Sequence, residues 1–409
     1  MLFGLPAVQA GVVPGKFPVV LVGTGATAFI SSSAWWPNLL ASNMFDVQYG
    51  CIAPSRPEDA YWFQANARVS RENVSADLAP LCRRAVAAEK GAPTVACICS
   101  PTPLHAAQIC TAIECGVRYI LSDKPIVVES AEVKKIQDAA RGKKVQVYIT
   151  FNHRYNGPVF QMRQLVKEAP SQVAGIDGAF LQDWLVDDPK NPQGDWRIRH
   201  RLCGLLDIGS HVADLISFIA GSPITAIEKG CVESVGQFAR KKGFTDHGTA
   251  EAVFANGIPG RIEYHQSLAG HADDIYACVR LKDGTQLLWR MAWGPESLFV
   301  TKTGTLDGPV GWELHLRGHS PRFSPEVNAI FSATPGGHIQ GWPMYWRALF
   351  LGIAGDILRS EGFAAPEQLP PVMQIPVPKL QPEGVMITGY IEAHDRSSQQ
   401  GGARVAVVS

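Results

Sequence analysis

The chain has 409 residues, of which 46% are hydrophobic and 18% charged, and its 37 Lys and Arg balance 37 Asp and Glu. That length and apolar content suit two globular domains and exclude a disordered chain. The lack of net charge and of any basic run argues against a nucleic-acid or anionic-membrane surface, and no uninterrupted apolar stretch is long enough to span a bilayer.

Residues 1–16 carry neither a charged n-region nor a long apolar core and read as an extension, not a signal peptide. From there "KFPVVLVGTGATAFI" predicts a strand, a Gly-rich turn and a helix. "FDVQYGCIA" predicts a second strand, "PLCRRAVAAE" a helix, and "PTVACICS" a strand that runs into the helix "PTPLHAAQICTAIECG", stopped by Gly116. "VRYILS", "SAEVKKIQDAARG" and "KVQVYITF" continue as strand, helix and strand. Continuous apolar strands alternating with helices indicate a doubly wound parallel sheet over 17–150.

The texture changes at about residue 151. After the helix "VFQMRQLVKEA" come strand-like runs, "TAEAVFANG", "GRIEYHQS", "DIYACVRLKDGTQLLWR" and "SLFVTKTG", separated by turn signals such as Asp283-Gly284. They predict a second, α+β domain over 151–409 with a large, mostly antiparallel sheet, so the chain as a whole is α/β. Pro-rich "LPPVMQIPVPKLQP" reads as a surface connection into a last helix, "GVMITGYIEAHDRS", expected to pack back on the first domain. The nine cysteines form an odd set with no CxxC pair. They read as free apolar thiols in a reducing, cytoplasmic setting, with no metal site.

Chemistry concentrates at a few places. Gly23, Thr24, Gly25, Ala26, Thr27 and Ala28 form a GxGxxA turn between strand and helix, which brings backbone N–H groups to a pyrophosphate. The second strand ends at Ile52 and Ala53, where an acid would grip the ribose of NAD. Ser55 and Arg56 follow instead and suit the 2′-phosphate of NADP, so NADP is favoured over NAD; an ordinary solvent arginine is the alternative.

In "LLDIGSHVADLISFI", helical spacing puts Ile208, Val212, Leu215, Ile216 and Ile219 on one apolar stripe and Gly209, Ala213 and Ser217 on a small-residue face open to another backbone. Such a helix is buried, so Asp207, His211 and Asp214 on it need a chemical or pairing role. Asp214 reads as a structural partner for an Arg or a backbone N–H.

Several segments in order resemble the glucose–fructose oxidoreductase / inositol dehydrogenase (Gfo/Idh/MocA) family: "ICSPTPLHAAQICTAIECGVRYILSDKPI", "FNHRYNGPVFQMRQLV", "LQDWL" through "LLDIGSHVADL", and "TPGGHIQGWPMYWRALF". The resemblance implies a Rossmann domain joined to an open-sheet domain, and NAD(P)-dependent oxidation or reduction of a sugar or polyol. It places Lys124, Asp207 and His211 at catalytic positions. It sets Ser100, Pro101, Thr102, His105, Asp123 and Lys124 along the cofactor. Asn152, Arg154, Asp183, Trp184, Trp196, Arg197, His338 and Trp342 become substrate-site candidates, each with a core, interface or solvated role as its alternative. Arg199, His200 and Arg201 either meet an acidic substrate or belong to a solvated loop.

Chemically, His211 suits a general base near neutral pH, Asp207 an alcohol-orienting carboxylate, and Lys124 a cation for the developing alkoxide. Two other readings remain open: a redox-neutral enzyme that keeps its cofactor bound, and a non-catalytic cofactor-binding regulator. A broad sheet face without helical cover in the sequence predicts a homodimer or homotetramer.

Overall fold

The computed structural model describes residues 15–24, 30–187, 195–304, 306, 308–317 and 341–408. It divides the chain into two compact units. The first holds the described residues up to Asn152 together with Trp342–Gly384; the second holds those from His153 to Gly341 and from Val385 onward. One segment therefore departs from a single division near residue 150. Trp342–Gly384 belongs to the first unit, and the last helix, Val385–Gln399, to the second.

The first unit is built on a six-stranded parallel sheet. Its strands are β1 (Phe17–Thr24), β2 (Phe45–Ile52), β3 (Val74–Ser75), β4 (Val95–Ile98), β5 (Tyr119–Ser122) and β6 (Gln146–Ile149). They lie in the order β3-β2-β1-β4-β5-β6, the doubly wound order whose reversal between β1 and β4 opens a ligand crevice at the strands' C-terminal ends. Every residue of β4 and β5 is buried, as parallel strands covered on both faces must be.

The returning helix Trp342–Ser360 packs Trp346 and Phe350 against Trp35, at centroid distances of 5.8 and 5.6 Å. The Pro-rich stretch that follows is not a surface connection. Leu369, Val372, Met373, Ile375, Val377 and Leu380 are all buried, and Lys379 bridges to Tyr148 of β6. Its apolar residues alternate with prolines that cannot continue a helix, so short turns bury them one by one.

The second unit carries β7 (Val173–Leu181), β8 (Ile224–Glu233), β9 (His247–Phe254), β10 (Pro259–His265), β11 (Asp274–Leu281), β12 (Gln286–Arg290), β13 (Ser297–Thr301), β14 (Glu313–Arg317) and β15 (Val405–Ala406). Their order is β14-β13-β12-β11-β7-β10-β9-β8-β15, and only β7 and β10 pair in parallel. One face is covered by the helix Ser210–Ala220, every residue of which is buried, and by Val385–Gln399.

The opposite face has two characters. Ala179, Leu181, Tyr276, Cys278 and Leu288 form an apolar cluster under Trp293, Leu306 and Trp312. Beyond it, Arg261 stands in register between Asp177 and Glu251, and Arg280 Nε donates to Asp177 at 2.7 Å.

All nine cysteines are free. Burial holds the thiols of Cys51, Cys82 and Cys278 up at about 12, so they behave as inert apolar groups. Among the described residues no helix is long and apolar enough to cross a membrane, and no three His, Cys, Asp or Glu side chains are grouped as a metal would require.

Candidate functional site

In the first unit the candidate residues sit where β1, β4 and β5 end. Gly23 has φ +78°, and a Cβ there would lie 2.7 Å from the Ser100 nitrogen. Only glycine lets β1 turn against the β4 loop so closely. Next to it Thr24 is buried, and its Oγ1 has no hydrogen-bond partner. A buried hydroxyl without a partner beside a glycine turn is the feature a phosphate oxygen would satisfy, and these residues fit a dinucleotide. Gly25, Ala26, Thr27 and Ala28 lie outside the described residues, as does His338.

Past β4, Ser100 donates its hydroxyl to Gln108, Thr102 is buried and Pro101 is half-buried. His105 is buried and its ring is taken up by the backbone. Nε2 lies 2.7 Å from the Ser100 carbonyl and Nδ1 3.2 Å from the Pro125 carbonyl. The ring ties the β4 turn to the β5 turn, and burial lowers its pKa.

Past β5, Asp123 accepts from the Thr150 hydroxyl at 3.1 Å. Lys124 follows, half-buried and joined to Pro125 through a cis peptide. After β2, Ser55 is exposed, and Arg56 Nε lies 3.5 Å from Asp59 and 3.6 Å from Glu58. Asn152 is buried and its Nδ2 donor has no protein acceptor. Trp342 packs on Trp346 at 5.9 Å within the first unit's aromatic stack, which the sequence assigned to the substrate.

In the second unit the candidate helix begins differently from its sequence pattern. Leu205–Gly209 is a π-turn leading into Ser210–Ala220, so simple 100° spacing breaks down just where Asp207 sits. Such wide turns recur at functional sites because they re-aim one side chain. The small-residue face meets a ring rather than a backbone at this end: a Cβ on Gly209 would come within 2.9 Å of Tyr264.

Asp207 is held on both oxygens. Arg197 Nε donates to Oδ1 at 3.0 Å and Gln266 Nε2 to Oδ2 at 2.9 Å. His211 is buried, with its ring 4.8 Å from His153 and 5.9 Å from Phe180. Asp214 forms the structural pair expected of it. Arg154 Nε donates to Asp214 at 2.7 Å and Arg154 Nη2 to the other oxygen. Arg154 is itself buried, and its guanidinium serves this pair.

The remaining candidates are scattered. Asp183 and Trp184 follow β7, where Trp184 Nε1 donates to Gln182 at 3.0 Å and its ring packs on the Leu185–Phe244 cluster. Trp196 lies under the Arg197 guanidinium at 4.5 Å. Of the basic loop, Arg201 pairs with Asp395 of the last helix, His200 Nδ1 accepts from the Leu202 amide at 3.1 Å, and Arg199 is exposed. The sequence reading missed Gln266 and His153. His153 lies in "FNHRYN" next to named candidates, whereas Gln266 is 59 residues from Asp207 and has no local signal.

Comparison with known proteins gives the same fold for both parts of the chain. Residues 17–151 match the model described as "Oxidoreductase family, NAD-binding Rossmann fold", and residues 159–285 match the "GFO/IDH/MocA C-terminal domain". An uncharacterized protein y4oX of Sinorhizobium fredii is 28% identical over 195 residues, 46% of this chain; the chain spans about half, 51%, of that relative's length.

Among solved structures, an oxidoreductase from Sinorhizobium meliloti aligns with TM-score 0.76 at 21% identity, covering 95% of this chain and 99% of that one. An inositol dehydrogenase homolog from Azotobacter vinelandii, complexed with NADH and myo-inositol, aligns with TM-score 0.80 at 16% identity, covering 97% and 98%. A levoglucosan dehydrogenase complexed with NADH and levoglucosan aligns with TM-score 0.69 at 19% identity, covering 96% and 100%.

Proposed function

The chain belongs to the Gfo/Idh/MocA family of oxidoreductases, and we propose that it moves hydride between a nicotinamide dinucleotide and a secondary hydroxyl of a sugar, sugar derivative or polyol. The observation that carries this reading is the turn of buried helix bearing Asp207 and His211, in which the carboxylate is fixed on both oxygens beside a base. A nicotinamide, when bound, supplies the hydride acceptor for the oxidation. Gly23 and Thr24 would hold its pyrophosphate, with the turn ends at Ser100 and Asp123 alongside.

His211 takes the hydroxyl proton, because an imidazole exchanges protons readily near neutral pH. Asp207 accepts a hydrogen bond from the alcohol, its carboxylate oriented by Arg197 and Gln266. Lys124 donates to the oxygen as negative charge grows there. Asn152, with an unsatisfied donor, Arg197, which holds Asp207, and Asp183, Trp184 and Trp196 are the substrate candidates we retain.

NADP is preferred in this reading because Ile52 and Ala53 end β2 without an acid and Arg56 follows. The free cysteines support a cytoplasmic setting.

The test incubates the purified protein with NAD⁺ or NADP⁺ and a panel that includes myo-inositol and levoglucosan. Accumulation of reduced nicotinamide supports the proposal. Product formed without added cofactor replaces it with redox-neutral chemistry, and binding without turnover of any panel member replaces it with a regulator. NAD bound at least tenfold tighter than NADP, a difference of about 1.4 kcal/mol, overturns the cofactor preference.

A further inference from the structure

We propose that Gln266 is a positioning residue that sets the plane and ionisation of the Asp207 carboxylate; this rests on the role of Asp207 proposed above. Gln266 follows β10 and is 0% exposed. A buried primary amide carries two donors and an acceptor that all need partners. Its backbone is pinned first: the amide donates to the Asp246 carbonyl at 2.8 Å, and the carbonyl accepts from Leu185 at 3.0 Å.

Its side chain is oriented by two unlike neighbours. The Cys203 thiol donates to Oε1 at 3.4 Å, and Nε2 then faces Asp207 Oδ2 at 2.9 Å. A flipped amide would set its oxygen against the carboxylate and its N–H₂ against a thiol, so one orientation is selected.

The groups that hold Asp207 differ in kind. Arg197, from the short helix Asp195–Ile198, supplies a charge, but its side chain is 21% exposed and open to water. His211 stands on the following turn of the same helix. Gln266 comes from the sheet side, with Cys203 behind it. It is neutral and wholly buried, and a hydrogen bond in such surroundings is little screened. Arg197 therefore supplies most of the field, and Gln266 supplies direction. Held by Arg197 on one oxygen and by Gln266 on the other, the carboxylate resists rotation.

The experiment compares wild type with Gln266→Met, which keeps the length and volume of the side chain and removes the amide. Asp207 is followed by ¹³C-carboxyl NMR titration of the free protein, its resonance identified by its loss in Asp207→Asn. The same proteins are assayed on whichever of myo-inositol or levoglucosan wild type turns over. Losing a donor to an ionised group should raise the Asp207 midpoint by about one pH unit or more. It should also lower kcat/KM by about ten- to a hundredfold, with the acid limb of the pH profile moving upward and cofactor affinity unchanged.

An Asp207 midpoint and acid limb that stay where wild type has them overturn the proposal, whatever the melting temperature does. If Gln266→Met does not fold, Gln266→Glu serves. A second carboxylate against Asp207 must raise the midpoint if the two groups touch, and an unmoved midpoint is again fatal. Full activity in Asp207→Asn would sink the role of Asp207 itself. An impaired Asp207→Asn beside an unaltered Gln266→Met sinks only the role of Gln266.

Discussion

Acidification should loosen the second unit through His394 in particular. This histidine lies on the last helix at 0% exposure. Its Nδ1 accepts from the Tyr390 hydroxyl at 3.0 Å, and its Nε2–H is shared between the carbonyls of Thr249 at 2.9 Å and Cys231 at 3.1 Å. The neutral ring is satisfied on both nitrogens, and burial holds its pKa down at about 4 against an ordinary 6.5.

The sign follows from which state binds the proton. The unfolded chain takes it up near pH 6.5, whereas the folded protein refuses it until about pH 4. The contribution is thus fully present above 6.5 and is lost as pH falls through that window. Each pH unit crossed removes about 1.4 kcal/mol, so the whole descent removes about 3 kcal/mol, a large share of a typical domain's stability.

Urea unfolding of wild type and His394→Gln at a series of pH values between neutrality and about pH 4 isolates this group, because the paired carboxylates titrate alike in both proteins. Glutamine can still donate to the two carbonyls and cannot take a proton. The wild type should lose about 2–3 kcal/mol more than the variant across the series. Parallel pH dependences would refute the reasoning.

Lys124→Ala and His211→Ala should each lower kcat by ~10²–10⁴-fold while melting temperature and cofactor affinity hold; near-normal turnover in a stable His211→Ala protein removes it as the base. Asp214→Asn should behave the other way, costing about 3–5 kcal/mol by stripping the charge that faces buried Arg154, with kcat changed only a few-fold, as unfolding and turnover of one preparation would show. The polar half of the open sheet face, with Arg261 between Asp177 and Glu251, should meet a second copy. Light scattering at micromolar concentration should report a dimer or tetramer that loosens with salt, and a monomer under those conditions contradicts the assignment.

What the sequence determined by itself is what neighbouring residues encode. The apolar runs of β4 and β5 are buried on both faces and could only be central strands. Gly23 marked the end of β1, because a tight strand-to-helix turn needs a residue that tolerates positive φ. "DKP" stood just past β5, and Asp214 had to find a partner because an apolar helix cannot leave a carboxylate alone. Each of these is a local pattern set by period, sterics or desolvation, and each is legible without the fold.

The tertiary structure decided whatever joins distant segments. It returned Trp342–Gly384 to the first unit and buried a proline-rich stretch that reads as surface. It widened the helix to a π-turn at Asp207, and brought Arg197 from one side and Gln266 from the other onto one carboxylate. Nothing in the local spacing of "YHQS" announces a partner 59 residues earlier. That contact exists because the end of β10 and the entry to a buried helix converge, and convergence is a property of the packed chain, in which the amide finds its acceptor only after the backbone on both sides has been placed.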